Sequence, residues 1–229
     1  MDTFARRLAV NNTIRYSCIA ASIGVFGAWN YAKRGEVYNS LKRLHQERYL
    51  PDPKWVYNHL TKYYTLKVND PTNYPSWVGS MFSHANTMHF AFNTLTFASF
   101  TGMLSTLPTA HFAAIMFGGG LAAATSWMAE QRSKGHRNTA ALGMSGIVSS
   151  VMGACTMLAP TMRITLFFFI PMPLWVVTAA YLHLDSYAAA QNVQSGIGHS
   201  AHVGGTVFGI LYYTLFLRRY GGVLGRSMR

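Results

Sequence analysis

The chain has 229 residues, half of them hydrophobic, only 11% charged, and a formal net charge of +12. A soluble domain carries about 25% charged residues, so a water-soluble globule is not the natural reading. Nucleic acid is not the expected partner of the positive charge either. The chain has no base-reading motif, and its basic residues flank apolar runs: Arg6, Arg7, Arg218, Arg219, Arg226 and Arg229 at the two ends, Lys33, Arg34, Lys42, Arg43 and Arg48 after the first run. Phospholipid headgroups are the simpler counterpart for such a pattern.

In chain order, residues 1–12 read as a basic tail, poor in acids. A membrane-flanking tail and a short mitochondrial presequence share that composition. Ile14 to Ala32 is the first apolar run, too long for a cleavable signal peptide and without a small-residue cleavage site after it. Residues 33–76 form the one long loop, in which Val37, Tyr38, Leu41, Leu44 and Tyr49 suit an amphipathic helix at the interface. Further apolar runs follow from about Trp77 to Phe100, Thr109 to Met128, Ala140 to Ala159, Ile164 to Leu182 and Ala201 to Leu217. A hydrocarbon layer of ~30 Å takes about 20 residues per helix, so the expectation is an all-α membrane domain of six spanning helices over residues 13–217. Residues 218–229 form a second basic tail. Charge alone leaves orientation ambiguous; the low weight of long loops in the positive-inside rule favours both termini on the cytosolic or matrix side. Cys18 and Cys155 both fall inside runs and read as packing residues.

Polar residues inside such spans are costly and mark function by default. The second run carries His84, His89 and Asn93; the fourth opens with Gly143-Met144-Ser145-Gly146; the sixth opens with His199-Ser200-Ala201-His202-Val203-Gly204-Gly205 and continues to Gly209. Even-numbered helices of a six-helix chain run in one direction, so all three groups fall on one side of the membrane. Each lies about 15 residues, or roughly 23 Å at ~1.5 Å per residue, from its helix's far end. Against ~30 Å of hydrocarbon, that implies a shared, submerged cavity.

The chemistry expected there is nucleophilic. A serine hydroxyl needs a neighbouring base to take its proton, and an imidazole is suited to that task. These three runs contain no carboxylate, which predicts a Ser145–His202 dyad. A helix start at Ser145 aims backbone N–H groups at a developing oxyanion. His89 and Asn93, four apart on one helical face, can add side-chain donors. Gly143 and Gly146 allow close backbone approach, and Gly205 with Gly209 makes a small-residue face that brings the sixth helix against the fourth.

These residues resemble the rhomboid family, whose marks are G-x-S-G, A-H-x-G-G-x-x-x-G and H-x-x-x-x-H-x-x-x-N. Here they are Gly143-Met144-Ser145-Gly146; Ala201-His202-Val203-Gly204-Gly205 with Gly209; and His84, His89 and Asn93. Three motifs in order on alternate helices form a specific signature, covering roughly Trp77 to Leu217. The resemblance implies intramembrane cleavage of single-pass membrane proteins, with Ser145 and His202 catalytic and His89 and Asn93 at the oxyanion. It also implies that His84 shapes its loop and that the fifth helix acts as a gate. Pro171 and Pro173 fit a bent fifth helix, as they would fit plain packing kinks. One departure concerns the base: the position one turn after the nucleophile, aromatic in some members, is Ser149. The basic N-terminal tail and the run before His202 are more similar to mitochondrial members, so the mitochondrial inner membrane is the favoured location.

Competing readings remain. His199 is a rival base at a loop edge. His84, His89, His199 and His202 are possible zinc ligands, but no H-E-x-x-H pattern accompanies them and no metal or other cofactor is expected. His111, His136 and His183 read as interfacial, and Gly118-Gly119-Gly120 as close helix packing. A rhomboid-like binder that routes membrane clients without cutting them is the alternative function. The sequence leaves the oligomeric state open.

Overall fold

The computed structural model describes residues 3–34, 51–166, 169–193 and 195–223. The expected amphipathic helix between Val37 and Tyr49, most of the first loop's basic cluster, and Arg226 and Arg229 lie outside them.

Helix α1 spans Thr3–Arg34, so it takes in most of the stretch read as a tail. Its buried residues Asn11, Cys18, Ser22, Trp29 and Ala32 recur at seven-, four- and three-residue steps along one face, the spacing that a packed helix requires. Asn11 donates from Nδ2 to the carbonyls of Ser105 (2.8 Å) and Leu107 (2.7 Å), groups that the end of a neighbouring helix leaves unpaired. At the other end Trp29 Nε1 donates to Ser83 Oγ at 3.0 Å, tying α1 to the loop before the next long helix.

The described part of the long loop is structured. Helix α2 (Pro53–Tyr63) is capped by Asp52, whose side chain accepts from the N–H groups of Lys54 and Trp55. Strand β1 (Leu66–Lys67) follows, then helix α3 (Tyr74–Gly79). The second apolar run is therefore not one helix from Trp77. After α3 a 3₁₀ turn covers Ser80–Phe82, and Ser83 is extended (φ −85°, ψ 153°). Helix α4 (Thr87–Leu104) begins only where the Asn86 side chain accepts from the His89 N–H at 2.8 Å.

The third run is a continuous helix, α5, from Thr109 to Ser133, longer than expected. Its three glycines pack closely: a Cβ on Gly119 would lie 2.1 Å from Ser150 Oγ, and one on Gly120 would lie 2.7 Å from Met81 Sδ. The fourth run starts as strand β2 (Ala140–Ala141), antiparallel to β1 with Leu66 opposite Ala141. Helix α6 (Ser145–Leu158) starts after Gly143, whose φ of +143° breaks the chain direction.

The fifth run differs most from expectation. Its first half is an antiparallel hairpin of β3 (Arg163–Leu166) and β4 (Ile170–Pro173), with Thr165 opposite Pro171. Pro171 and Pro173 withhold the backbone donors a helix needs. Helix α7 starts only at Leu174 and runs to Ala190, carrying Asp185 out of the expected loop and into a helix. Helix α8 (His199–Tyr212) continues through tighter and wider turns to Tyr220. Among the described helices Thr109–Ser133 and His199–Tyr220 are by themselves long and apolar enough to cross a bilayer; Ser145–Leu158 is a shorter apolar helix.

The core gathers around α6. Phe97, Leu104, Phe112, Ile115, Met116, Ile147, Val151 and Tyr213 are essentially inaccessible. Cys18 and Cys155 are buried and free, as their packing role requires.

Candidate active site

Ser145 is the first residue of α6, and no side chain caps that helix start. The first N–H groups of a helix lack intrahelical partners and carry its positive dipole end, so this terminus offers donors to an anion beside the Ser145 hydroxyl. The approach to Ser145 is held by Gly143, whose N–H donates to the Ser80 carbonyl at 2.9 Å. A side chain at Gly143 would collide with the site: its Cβ would lie 2.8 Å from His89 Cε1, 3.2 Å from His89 Nε2 and 3.5 Å from Ser145 Oγ. Gly143, His89 and Ser145 thus converge on one point.

His202 lines the same cavity because α6 and α8 touch backbone to backbone. A Cβ on Gly205 would lie 2.5 Å from the Gly146 carbonyl oxygen, and one on Gly209 would lie 1.9 Å from that of Ser150. Four residues forward on one helix match four forward on the other, so the two run parallel, and His202 lies level with Gly143. Helix α4 follows the same direction, with His89 beside Gly143 and the Phe100 carbonyl beside Cys155 Sγ (3.6 Å). All three motifs therefore meet at one end of three parallel helices.

The protons can be assigned from their partners. His202 Nδ1 lies 3.1 Å from Asp185 Oδ2, and His199 Nδ1 lies 2.5 Å from Asp185 Oδ1. A carboxylate only accepts, so each Nδ1 carries a proton and His202 Nε2 is left as an acceptor. The second nitrogen of His199 is engaged by Ser195 Oγ at 2.7 Å, which leaves His199 poorly placed as a base. On the opposite wall His89 Nδ1 accepts the Ala85 N–H at 3.3 Å. A neutral ring then keeps its proton on Nε2, which with Cε1 forms the edge of the ring turned to Gly143.

Asn93 is buried and donates from Nδ2 to the His89 carbonyl at 2.8 Å, with its other amide hydrogen unengaged among the described residues. His84 lies in the loop before α4, packed edge-on to the rings of His89 (centroids 5.4 Å apart) and Phe90 (5.3 Å). Of the histidines read as interfacial, His136 and His183 are exposed, while His111 Nδ1 pairs with the Tyr212 hydroxyl at 3.0 Å. Among the described residues no cluster of three or more His, Cys, Asp or Glu has metal-ligating geometry.

Ser145, His202, His89, Asn93 and Gly143 line a single cavity of about 1320 Å³, together with Tyr181. Ser145 Oγ makes no hydrogen bond to His202 among the described residues; such contacts are often long without a ligand and tighten when substrate fills the site.

Sequence reasoning missed Tyr181 and Asp185. The Tyr181 ring stacks on His202 (centroids 5.4 Å, 25° between planes), and its hydroxyl meets Ser149 Oγ at 3.4 Å. The aromatic surface absent from position 149 thus arrives from α7 instead. A signal was present: Asp185 is the only acidic residue after Glu130, and Tyr181 precedes it by one helical turn.

Comparison with known proteins places the chain in a family. The Rhomboid domain family model matches residues 71–219. Rhomboid protein 1, mitochondrial, of Saccharomyces cerevisiae is 26% identical over 201 residues, covering 86% of this chain and 51% of the relative. The chain thus spans about half the length of that relative. With the matched domain covering well over half of its residues, the chain belongs to the rhomboid family.

Proposed function

We propose that this chain is an intramembrane serine endopeptidase cutting transmembrane segments of single-pass membrane proteins, with α1 and α4 to α8 as its six crossing segments. The observation that carries the reading is the proton pattern around one cavity: His202 Nε2 free to accept, and His89 Nε2–H and the Ser145 helix start free to donate. In the first step Ser145 Oγ attacks the scissile carbonyl carbon as its proton passes to His202 Nε2. The carbonyl π electrons move onto oxygen, where the α6 N-terminus, His89 and Asn93 stabilise the charge. Collapse breaks the C–N bond, and the His202 proton goes to the leaving amine. Water then cleaves the acyl-serine by the same route, returning the proton to Ser145. No metal or cofactor enters these steps.

The basic, acid-poor N-terminal region and the mitochondrial relative support location in the mitochondrial inner membrane, with lipid headgroups meeting the basic flanks. A fluorophosphonate probe tests the activity on folded full-length chain. Labelling that vanishes in Ser145→Ala is the expected result. Folded wild type that takes no label would instead identify a non-catalytic binder of membrane clients.

A further inference from the structure

Helix α7 bears an unusual stripe for an apolar helix: Thr178, Tyr181, Asp185 and Ala189, three, four and four residues apart, hence on one face. Every member makes a polar contact across the bundle. Thr178 Oγ1 meets Thr156 Oγ1 at 2.7 Å, and the Tyr181 hydroxyl meets Ser149 Oγ. Asp185 bridges His199 and His202, and the Ala189 carbonyl accepts from Lys134 Nζ at 3.1 Å. The stripe pins α7 to α6, to α8 and to Lys134 just past the end of α5.

Resting on the protease reading above, we propose that Tyr181 and Asp185 form a positioning pair for His202, so that the base is competent only while α7 is seated. The pair supplies two separate constraints. Asp185 fixes the tautomer, because its Oδ2 claims the Nδ1 proton and leaves Nε2 as the acceptor. Tyr181 fixes the ring plane by stacking on it. Asp185 is itself held: it is buried, and its other oxygen is occupied by His199, so the carboxylate cannot turn away from His202 without losing that bond too. The working group is therefore a Ser145–His202–Asp185 line with His199 as the outer support, rather than a bare dyad. Helices α7 and α4 both line the cavity, α7 through Tyr181 and Ala188 and α4 through Met88, Phe92 and Thr96. An α7 that swung out to admit a substrate would carry both positioning groups away. It must therefore return before Ser145 can be activated.

The test is the rate of fluorophosphonate labelling of Ser145 across pH, on full-length wild type and variants in detergent micelles, with thermal unfolding recorded alongside. Asp185→Asn should slow labelling by about 10²-fold or more, since replacing a triad carboxylate with an amide costs up to ~10⁴ through the wrong tautomer. The acidic limb of the rate profile should move to lower pH, because the imidazolium loses its anion; a purely structural role would leave that limb in place. Asp185→Glu should recover part of the rate, and Tyr181→Leu should slow labelling while Tyr181→Phe retains more of it. An Asp185→Asn rate close to wild type with an unmoved limb overturns the proposal alone. A wild type that takes no label overturns it together with the protease reading. Should Asp185→Asn fail to fold, wild-type rates in both Asp185→Glu and Tyr181→Leu overturn the proposal.

Discussion

Gly209 sits so close to Ser150 that a Cβ built on it would lie 1.9 Å from the Ser150 carbonyl oxygen. That contact is backbone against backbone, so no side-chain rotation can relieve an added methyl. Gly209→Ala should therefore push α8 from α6 and destabilise the protein by about 1–3 kcal/mol or more, with activity lost as His202 moves. Gly24→Ala is the control: nothing lies within 4 Å of a Cβ there, and removing a helical glycine should stabilise by roughly 0.5–1 kcal/mol. Thermal unfolding in one detergent compares the two.

His202→Ala should abolish probe labelling while the chain stays folded. His199→Ala removes the outer support of Asp185 together with the Ser195 contact, and should leave labelling that is slower than wild type yet measurable. The reverse order of effects would make His199 the base. Labelling rates at matched folded concentration decide between them.

Asn93→Ala should cost about 2.7–4 kcal/mol of transition-state stabilisation if Asn93 is a full oxyanion donor. The measure is kcat on a cleaved transmembrane substrate, with KM little changed. A loss below tenfold would reduce Asn93 to a residue that braces the His89 carbonyl.

Gly143→Ala combines two penalties. The residue adopts φ +143°, and its Cβ would press on the His89 ring at 2.8 Å. Backbone strain of this kind costs about 1–3 kcal/mol. The strand approaching Ser145 should shift, lowering both the unfolding temperature and the labelling rate.

The legible parts of this molecule were those written as local patterns. Ser145, His202 and the glycines at 205 and 209 stood out because polar and small residues are rare in apolar runs, and their spacing encodes a helix face. The hairpin over Arg163–Pro173 was hidden because hydropathy reads Ile164 to Leu182 as one continuous run; Pro171 and Pro173 were the contrary signal, and they do exclude a helix there. Asp185 was hidden by the same error. A fifth helix assumed to end near Leu182 left the carboxylate in a loop, whereas a helix starting at Leu174 carries it to His202. Tyr181 lay within the expected span, but its role depends on which face α7 turns to α8, and that is a tertiary fact.

The short ladder between Leu66–Lys67 and Ala140–Ala141 has a mechanical consequence. Val68 N–H extends it to the Thr139 carbonyl at 3.1 Å, and Gly143 is fastened to Ser80 two residues beyond its other end. The chain leading to the nucleophile is thus clamped from both sides by the segment joining α1 to α4. A displacement of that segment would be felt at Ser145 without anything entering the cavity.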